Sequence, residues 1–356
     1  MNFLNYSSFL LARLWGWVSR QQLFAGEHVV RPWPANLQEQ DRAFFAKNRE
    51  YSLPPSWLLR LREVSLYWDG SAFHGLHLYP ETLVLPDKPQ HNWRGLLYIH
   101  LRMSSHRLSS AKQYILVHDA WSESYYHWMV DALPRLLAVQ EHLTGSKLLL
   151  SNTCNHDYQR QTLAALGVAD IEYLQPETRY VVHNLLVPSR LARVASHNPT
   201  VMRNLRALLL DKFPILPQAN LGERLYISRA RAFRRKVTNE AEVMAYMRKQ
   251  GFAIVQLEDY SYAEQVSIMA QVRYLVSIHG AGLTNILFMP TGSRMLELQM
   301  QDDGTNHYYY TLAADLDVDY YYQFCPPDDP SLSVQDANLT VSMAELERTV
   351  TQMMTD

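Results

Sequence analysis

A glycine turn between two apolar runs is the first stretch whose residue types could do chemistry. The run Tyr274–Ile278 leads into His279, Gly280, Ala281 and Gly282, and the helix-like sequence LTNILF follows. Glycines at such a turn let a ligand approach the backbone closely, and a helix beginning there offers N–H groups to an anion such as phosphate. The third glycine of a dinucleotide-binding fingerprint is missing, so an ordinary tight turn stays an equal alternative.

A cluster of basic side chains is the second candidate, and it follows the predicted strand LYIS. The cluster consists of Arg229, Arg231, Arg234, Arg235 and Lys236, with no acidic residue among them. Arginine binds phosphate oxygens through a two-pronged fork that lysine lacks. We therefore predict an anion site here, and a solvated basic loop is the alternative.

A histidine and an aspartate form the third candidate, within WSESYYHWMVDALPR. If this stretch is helical, His127 and Asp131 are four residues apart and lie on one face. The carboxylate would raise the basicity of the imidazole and fix its tautomer, so the pair could take a proton from a hydroxyl nucleophile. Pro134 predicts a kink near Val130. A buried His–Asp hydrogen bond that only stabilises the fold is an equally good interpretation.

Strand–helix alternation predicts the elements that position these groups. One alternating set covers residues 114–187, and a second begins at Arg224 after a junction near residues 190–222. Such alternation is typical of parallel sheets covered by helices, in which ligands bind outside the carboxyl ends of the strands. Residues 21–62 are polar and rich in proline, which predicts irregular structure with short helices. The fold class predicted is α/β, with two doubly wound domains facing a cleft.

Composition and charge narrow the class of protein. The 356 residues are 47% hydrophobic and 19% charged, as in a globular protein, and the net charge of −2 argues against nucleic acid as a partner. The two cysteines are far apart, which fits a reducing, cytoplasmic location and no zinc site. The apolar residues 1–20 lack a cleavage site and are too short to span a bilayer. A helix resting on the inner membrane through Trp15, Trp17 and Arg20 stays open, beside one packed on the protein.

Three stretches of this chain, in this order, resemble glycosyltransferase family 61. They are YYHWMVDALPRL, YISRARAFRRKVTNEAEV and SIHGAGLTNILFMPTGSRMLEL, and the likeness covers roughly residues 110–325. The family includes bacterial capsular-polysaccharide, plant xylan-decorating and eukaryotic O-linked N-acetylglucosaminyl transferases. The resemblance implies a GT-B-like arrangement of two Rossmann-like domains around the active site. It also implies an inverting hexosyl or pentosyl transfer from a nucleotide sugar, with UDP favoured, to a glycan or glycolipid hydroxyl in cell-surface polysaccharide synthesis.

The resemblance also assigns roles to residues, and it requires neither a metal nor another cofactor. His127 becomes the general base, oriented by Asp131, and Asp119 is a reserve candidate. Ser124 stands near a position where the family often has asparagine, which puts the acceptor contact in question. The residues matched to the nucleotide site are Ser228, Arg229 and Arg234 for the diphosphate, His279, Gly280, Ala281 and Gly282 for the phosphate-side turn, and Glu297 for the ribose hydroxyls.

Domain limits and two alternative functions complete the predictions from the sequence. Residues 1–200 would form an acceptor-side domain with a strand-rich, irregular N-terminal part, and residues 201–335 a nucleotide-sugar domain. A helix within residues 336–356 could pack back on the first domain. One alternative is a non-catalytic nucleotide or sugar binder on the same frame. The other is a metal-dependent transferase that uses the Asp317 and Asp319 pair, a D-x-D triplet.

Overall fold

The computed structural model describes residues 18–89, 91–301 and 307–356. Within them the chain divides into two compact units, the first of residues 18–27 and 52–194 and the second of residues 28–51 and 195–356. The α/β class is confirmed. The limits predicted from the sequence, 1–200, 201–335 and 336–356, stay a prediction, as does the GT-B-like arrangement around a cleft.

Sixteen strands occur among the described residues. In chain order they are β1 Val18–Phe24, β2 Glu27–Val30, β3 Glu50–Leu53, β4 Ser56–Tyr67, β5 Ala72–His74, β6 His77–Leu78, β7 Ser104–Arg107, β8 Gln113–Leu116, β9 Ser146–Ser151, β10 Ile171–Leu174, β11 Thr178–Pro188, β12 Arg224–Ile227, β13 Ala253–Val255, β14 Tyr274–Ile278, β15 Arg294–Met300 and β16 Asp319–Cys325.

The helices of the described residues alternate with these strands. The α-helices are α1 Arg42–Arg49, α2 Trp93–Arg102, α3 Tyr125–His127, α4 Leu133–Leu137, α5 Asp157–Ala165, α6 Pro199–Lys212, α7 Glu240–Lys249, α8 Tyr262–Met269, α9 Tyr308–Asp315 and α10 Met343–Thr355. A π-helical turn spans Trp128–Ala132, and 3-10 turns span Glu39–Asp41, Pro80–Thr82, Gln140–His142, Pro217–Ala219, Leu257–Asp259 and Ala281–Phe288.

The first unit is built on a nine-stranded sheet of mixed direction, with the order β10-β9-β8-β11-β4-β5-β6, in which β1 also pairs with β4 and β7 with β11. Strands β10, β9, β8 and β11 are parallel, and β4 joins β11 in antiparallel register. The chain leaves β8 towards β9 on one side, and β11 returns to the other side of β8. Such a reversal is a topological switch point, where the ends of two strands open outwards and ligands bind in doubly wound sheets.

The second unit contains a five-stranded sheet that is parallel throughout, in the order β13-β12-β14-β15-β16. The order reverses between β12 and β14, so this sheet also has a switch point. One face is covered by the last helix, α10, whose Leu346 and Val350 are buried in a cluster with Val276 and Leu296 of the strands. The sequence analysis allowed this helix to pack on the N-terminal domain; the structure shows its contacts within the second unit.

Residues 28–51 belong to the second unit although they precede most of the first in the chain. The side chain of Arg31 is 1% exposed and forms a two-pronged ion pair with Asp315, with nitrogen–oxygen distances of 2.9 and 3.0 Å. Phe45 of α1 is fully buried against the rings of Tyr310 and Tyr322. This early segment is therefore part of the core of the second unit.

The expectation of irregular structure over residues 21–62 was wrong in part. The long strand β4 lies inside the sheet of the first unit, where it pairs with both β1 and β11. The predicted N-terminal helix lies largely outside the described residues; Arg20, at its expected end, lies in β1. No helix in the described part of the chain has the length and apolar character needed to cross a bilayer.

Candidate active site

Gly280 and Arg229 meet at the switch point of the second unit. Arg229 follows β12, Gly280 follows β14, and these strands are neighbours in the sheet. A Cβ atom placed on Gly280 would lie 2.1 Å from Nη1 of Arg229, which is too close for any side chain. The backbone of Gly280 is extended, with φ 165° and ψ 169°, a conformation open to all residues. Glycine is needed here because the guanidinium packs directly on the backbone, and Gly280 is buried as a result.

Arg229 is a half-buried cation that forms no ion pair with a carboxylate among the described residues. Its Nη2 donates to the backbone oxygen of Arg234 at 3.4 Å, and its Nε is buried without a hydrogen-bond partner. Burial, and next the positive charge of Arg235, lower the pKa of Arg229. An uncompensated charge that has lost water is unfavourable, so an anion bound here would be strongly stabilised.

Two other members of the basic loop, Arg231 and Arg234, have carboxylate partners. Arg231 pairs with Asp259, and Nη1 of Arg234 donates to Asp336 at 3.0 Å. Ser228 is buried, and its hydroxyl accepts from the N–H of Ala230 at 3.2 Å, which shapes the turn that presents the loop. Acids distant in sequence thus neutralise part of the cluster. The diphosphate roles of Ser228 and Arg234 stay predictions.

The turn after Gly280 is a 3-10 helix, Ala281–Phe288, rather than the α-helix that the sequence suggested. Ala281 and Gly282 form its first two residues, directly after Gly280. A Cβ on Gly282 would lie 3.3 Å from Leu257, so this glycine packs on the core and not on Arg229. The N-terminal N–H groups still face the carboxyl end of the sheet, as an anion site requires.

His279 is held by an acid in the next strand. Its Nδ1 lies 2.5 Å from Oε1 of Glu297, whose other oxygen accepts a hydrogen bond of 2.7 Å from the hydroxyl of Tyr320. Glu297 is 2% exposed, and burial together with Glu297 raises the pKa of Tyr320, which keeps that hydroxyl a donor. Both oxygens of Glu297 therefore have internal partners. This geometry favours a role in orienting His279, and the predicted contact with ribose hydroxyls stays a prediction.

His127 and Asp131 come together in the first unit as the spacing predicted. The ring Nδ1 of His127 lies 2.7 Å from Oδ2 of Asp131, and the two side chains are 14% and 10% exposed. A π turn lies around Val130, between α3 and α4, and the kink predicted there stays a prediction. Pro134 has no N–H for the oxygen of Val130, which removes a bond of the regular helix. The helix predicted over residues 125–142 thus ends earlier, at Leu137.

Sequence reasoning missed Arg190, which joins two acids of the first unit. Its Nη2 lies 2.6 Å from Oδ1 of Asp131, and its Nη1 lies 2.5 Å from Oδ2 of Asp119. Burial alone would lower the pKa of Arg190, but Asp131 and Asp119 outweigh it and raise the pKa. Arg135, 1% exposed, donates to the backbone oxygen of Val117 at 2.8 Å and approaches Asp119 to 3.8 Å. The result is a buried, charge-paired network that positions His127.

This network argues against Asp119 as the reserve base. Its Oδ1 accepts hydrogen bonds of 3.1 Å from the N–H of Trp121 and from the hydroxyl of Ser122, and Oδ2 pairs with Arg190. Both of its oxygens are therefore already engaged by hydrogen-bond donors of the first unit. The signal for Arg190 was present in the sequence, because it follows a strand end just as Arg229 does.

The D-x-D alternative receives little support from the structure. Oδ2 of Asp317 lies 3.7 Å from Nη1 of Arg203, and Oδ2 of Asp319 lies 3.9 Å from Nε of Arg294. Throughout residues 18–89, 91–301 and 307–356, no three His, Cys, Asp or Glu side chains gather in a way that could hold a metal ion. The metal-independent reaction nevertheless stays a prediction.

Comparison with known proteins identifies the segment that carries both charged clusters. Residues 125–296 match the family model Glycosyltransferase 61. Protein O-linked-mannose β-1,4-N-acetylglucosaminyltransferase 2 of Xenopus tropicalis is 32% identical over 119 residues, which is 32% of this chain and 20% of that protein. The protein of that name from Mus musculus is 34% identical over 109 residues, 29% and 19% of the two chains. That of Homo sapiens is 34% identical over 107 residues, 29% and 18%.

The match spans only about a fifth of the length of these relatives. The family match over residues 125–296 covers His127, Asp131, Arg190, Arg229 and Gly280, and Glu297 lies one residue beyond it. The resemblance inferred from the three sequence stretches is thereby confirmed. This chain carries a glycosyltransferase domain of family 61, which spans residues 125–296.

Proposed function

We propose that the chain transfers a sugar from a nucleotide sugar, with UDP favoured, to a hydroxyl of a glycan or glycolipid acceptor. The observation that carries this proposal is Arg229, a half-buried cation that packs on Gly280 at a switch point and has no carboxylate partner among the described residues. A diphosphate supplies the negative charge that this position lacks. The family match adds that the sugar is the group transferred.

The leaving diphosphate gains negative charge as its bond to the anomeric carbon breaks. Arg229 and the first N–H groups of Ala281–Phe288 are placed to stabilise that charge without a metal ion. A strong donor aimed at developing charge contributes on the order of 2–4 kcal/mol to the transition state. A single displacement of this kind inverts the anomeric centre.

The acceptor hydroxyl must lose a proton as it attacks. Since Nδ1 of His127 is bonded to Asp131, the opposite ring nitrogen, Nε2, is the one assigned to take that proton. Asp131 holds the ring and stabilises the imidazolium that forms, and Arg190 holds Asp131. The same proposal includes a GT-B-like arrangement of the two units and a role in cell-surface polysaccharide synthesis. It also includes a cytoplasmic location with peripheral contact to the inner membrane.

Purified full-length protein incubated with a panel of UDP-sugars tests this function. UDP-N-acetylglucosamine comes first, because the relatives are named for N-acetylglucosaminyl transfer. We expect slow release of UDP that acceptor glycans accelerate and that persists in EDTA. Binding of UDP without any release would instead support the non-catalytic binder. Activity abolished by EDTA and restored by a divalent cation would support the metal-dependent alternative.

A further inference from the structure

A cavity of about 620 Å³ opens within the second unit, beside the edge strand β16. Its volume lies in the range of about 300–1,000 Å³ that small-molecule sites occupy. Aromatic rings, two carboxylates, a guanidinium and several amides share its lining. The residues used below are Gln40, Phe44, Tyr322, Phe324, Glu345 and Arg348.

The wall of this cavity is held rigidly by contacts within the second unit. The side chain of Asn36 bonds both backbone groups of Tyr322, at 2.7 and 3.1 Å, as a neighbouring strand would. The hydroxyl of Tyr322 donates to Asp41 at 2.5 Å and accepts from the N–H of Gln38 at 3.1 Å. Tyr322 and its surroundings are therefore in place before any ligand arrives.

The cavity lies at the same edge of the sheet as the diphosphate site. Tyr322 and Phe324 are near the carboxyl end of β16, and Gln301, also in the lining, directly follows β15. Strand β16 is two strands away from β14, so these two strands are about 10 Å apart across the sheet. Alternate residues of β16 share a face, and the first of them, Tyr320, contacts the acid that holds His279. One row of aromatic residues thus connects the two places.

We propose that this cavity binds a sugar unit of the acceptor glycan, away from the reacting hydroxyl. The inference rests on the proposed function. The rings of Phe44 and Phe324 offer apolar surface to the C–H face of a sugar, while Gln40, Glu345 and Arg348 offer donors and acceptors to its hydroxyls.

A neutral ligand fits the charges of the lining better than an anion does. Two carboxylates, Asp41 and Glu345, face one guanidinium, Arg348. Burial raises the pKa of Glu345, which shows that its carboxylate is poorly solvated and gains from a ligand that donates hydrogen bonds. Phosphates belong instead at Arg229.

Binding of neutral oligosaccharides to the full chain, without a donor, tests the proposal. Chitotriose, xylotriose and maltotriose serve as probes, observed by saturation-transfer NMR and calorimetry. We expect at least one to bind, and expect Glu345→Ala and Arg348→Ala each to weaken it about fivefold or more. Glu347→Ala is the matched control, because Glu347 is on the same helix but outside the cavity lining. UDP affinity should be equal in all three variants.

The cavity and the proposed function fail in different ways. If no probe binds, or if all variants bind it equally, the cavity is not a sugar site, whatever the activity. If the probe binds as expected but no UDP-sugar releases UDP, the transferase function is wrong and the sugar site stands. Where both hold, the cavity variants should raise the KM for acceptor and leave kcat unchanged.

Discussion

The two units place charged side chains at equivalent points of their sheets. In the first unit these charges pair with one another, whereas in the second unit Arg229 has no carboxylate partner among the described residues. In the first unit Arg190 follows β11, meets Asp119 beyond β8 and joins Asp131, so each charge has a partner. In the second unit Arg229 follows β12 and meets Gly280 beyond β14, where no described carboxylate pairs with it. Both arrangements sit where the strand order reverses.

The two arrangements suit two different functions, the positioning of a base and the binding of an anion. A paired network keeps its geometry without a ligand. A general base needs this, because it must be aligned before the acceptor arrives. An unpaired guanidinium gains a partner only when an anion binds. The free energy of that ion pair therefore contributes to ligand affinity. Substitutions should therefore damage the first site through geometry and the second through affinity.

The largest effect is expected for the base of the first unit. His127→Ala should lower kcat by about 10²- to 10⁴-fold, because no other group takes the proton from the acceptor. UDP affinity, measured by calorimetry, should stay unchanged. His183→Ala provides the control, since this histidine is exposed and pairs with Glu63. Near-normal turnover of His127→Ala would remove the base from its assigned role.

The next effect tests the paired network itself. Arg190→Met leaves Asp119 and Asp131 buried without their shared cation, and should cost about 3–5 kcal/mol of unfolding free energy, measured by urea denaturation. Arg190→Lys should recover only part, since lysine keeps the charge but not the fork. Arg107→Met, which breaks an exposed pair with Glu63, should cost no more than about 1 kcal/mol. Equal losses at Arg190 and Arg107 would contradict the network.

A smaller effect, on affinity rather than stability, is expected for the unpaired cation. Arg229→Ala should weaken UDP binding by about 1.5–3 kcal/mol, roughly 10- to 150-fold, while the melting temperature stays the same or rises. The stability is preserved because the folded protein loses a poorly solvated charge. Arg231→Ala, whose guanidinium already pairs with Asp259, should change UDP affinity little. A large drop in melting temperature with normal UDP affinity would show that Arg229 stabilises the fold and does not bind the nucleotide.

The smallest effect comes from a single methyl group. Gly280→Ala should push the guanidinium of Arg229 aside and weaken UDP binding by about 1 kcal/mol, a few-fold to tenfold. Gly282→Ala adds the same methyl group against Leu257, away from Arg229, and should preserve affinity. If the two alanine variants bind UDP equally, the contact between Arg229 and Gly280 does not matter for the nucleotide.

The sequence was most informative where an element is a continuous apolar run. The strand Tyr274–Ile278 and the last helix were both predicted almost to the residue, because burial on both faces or on one helical stripe leaves a clear pattern. The first half of strand β4 was missed, because Arg60 and Arg62 lie among its apolar residues. Its place in the sheet depends on pairing with β11, more than a hundred residues away.

In the candidate site, too, local patterns were predictable and contacts between distant residues were not. Local spacing predicted the contact between His127 and Asp131, and strand ends predicted that Arg229 and Gly280 lie at one edge of a sheet. Arg190 was missed although it follows a strand end, since its bond to Asp119 joins residues separated by 71 positions and only the order of the strands in the sheet brings them together. For the same reason the partner of Glu297, Tyr320 in the next strand, became visible only in the structure.

The early segment of residues 28–51 constrains how this chain is made. It leaves the ribosome long before residues 195–356, yet Asp315, the ion-pair partner of Arg31, and Tyr310, which packs on Phe45, belong to that later part. The second unit cannot complete its interior until synthesis is nearly finished, so Phe45 stays unprotected during translation. A fragment that begins at residue 195 would lack these side chains and should aggregate when expressed alone.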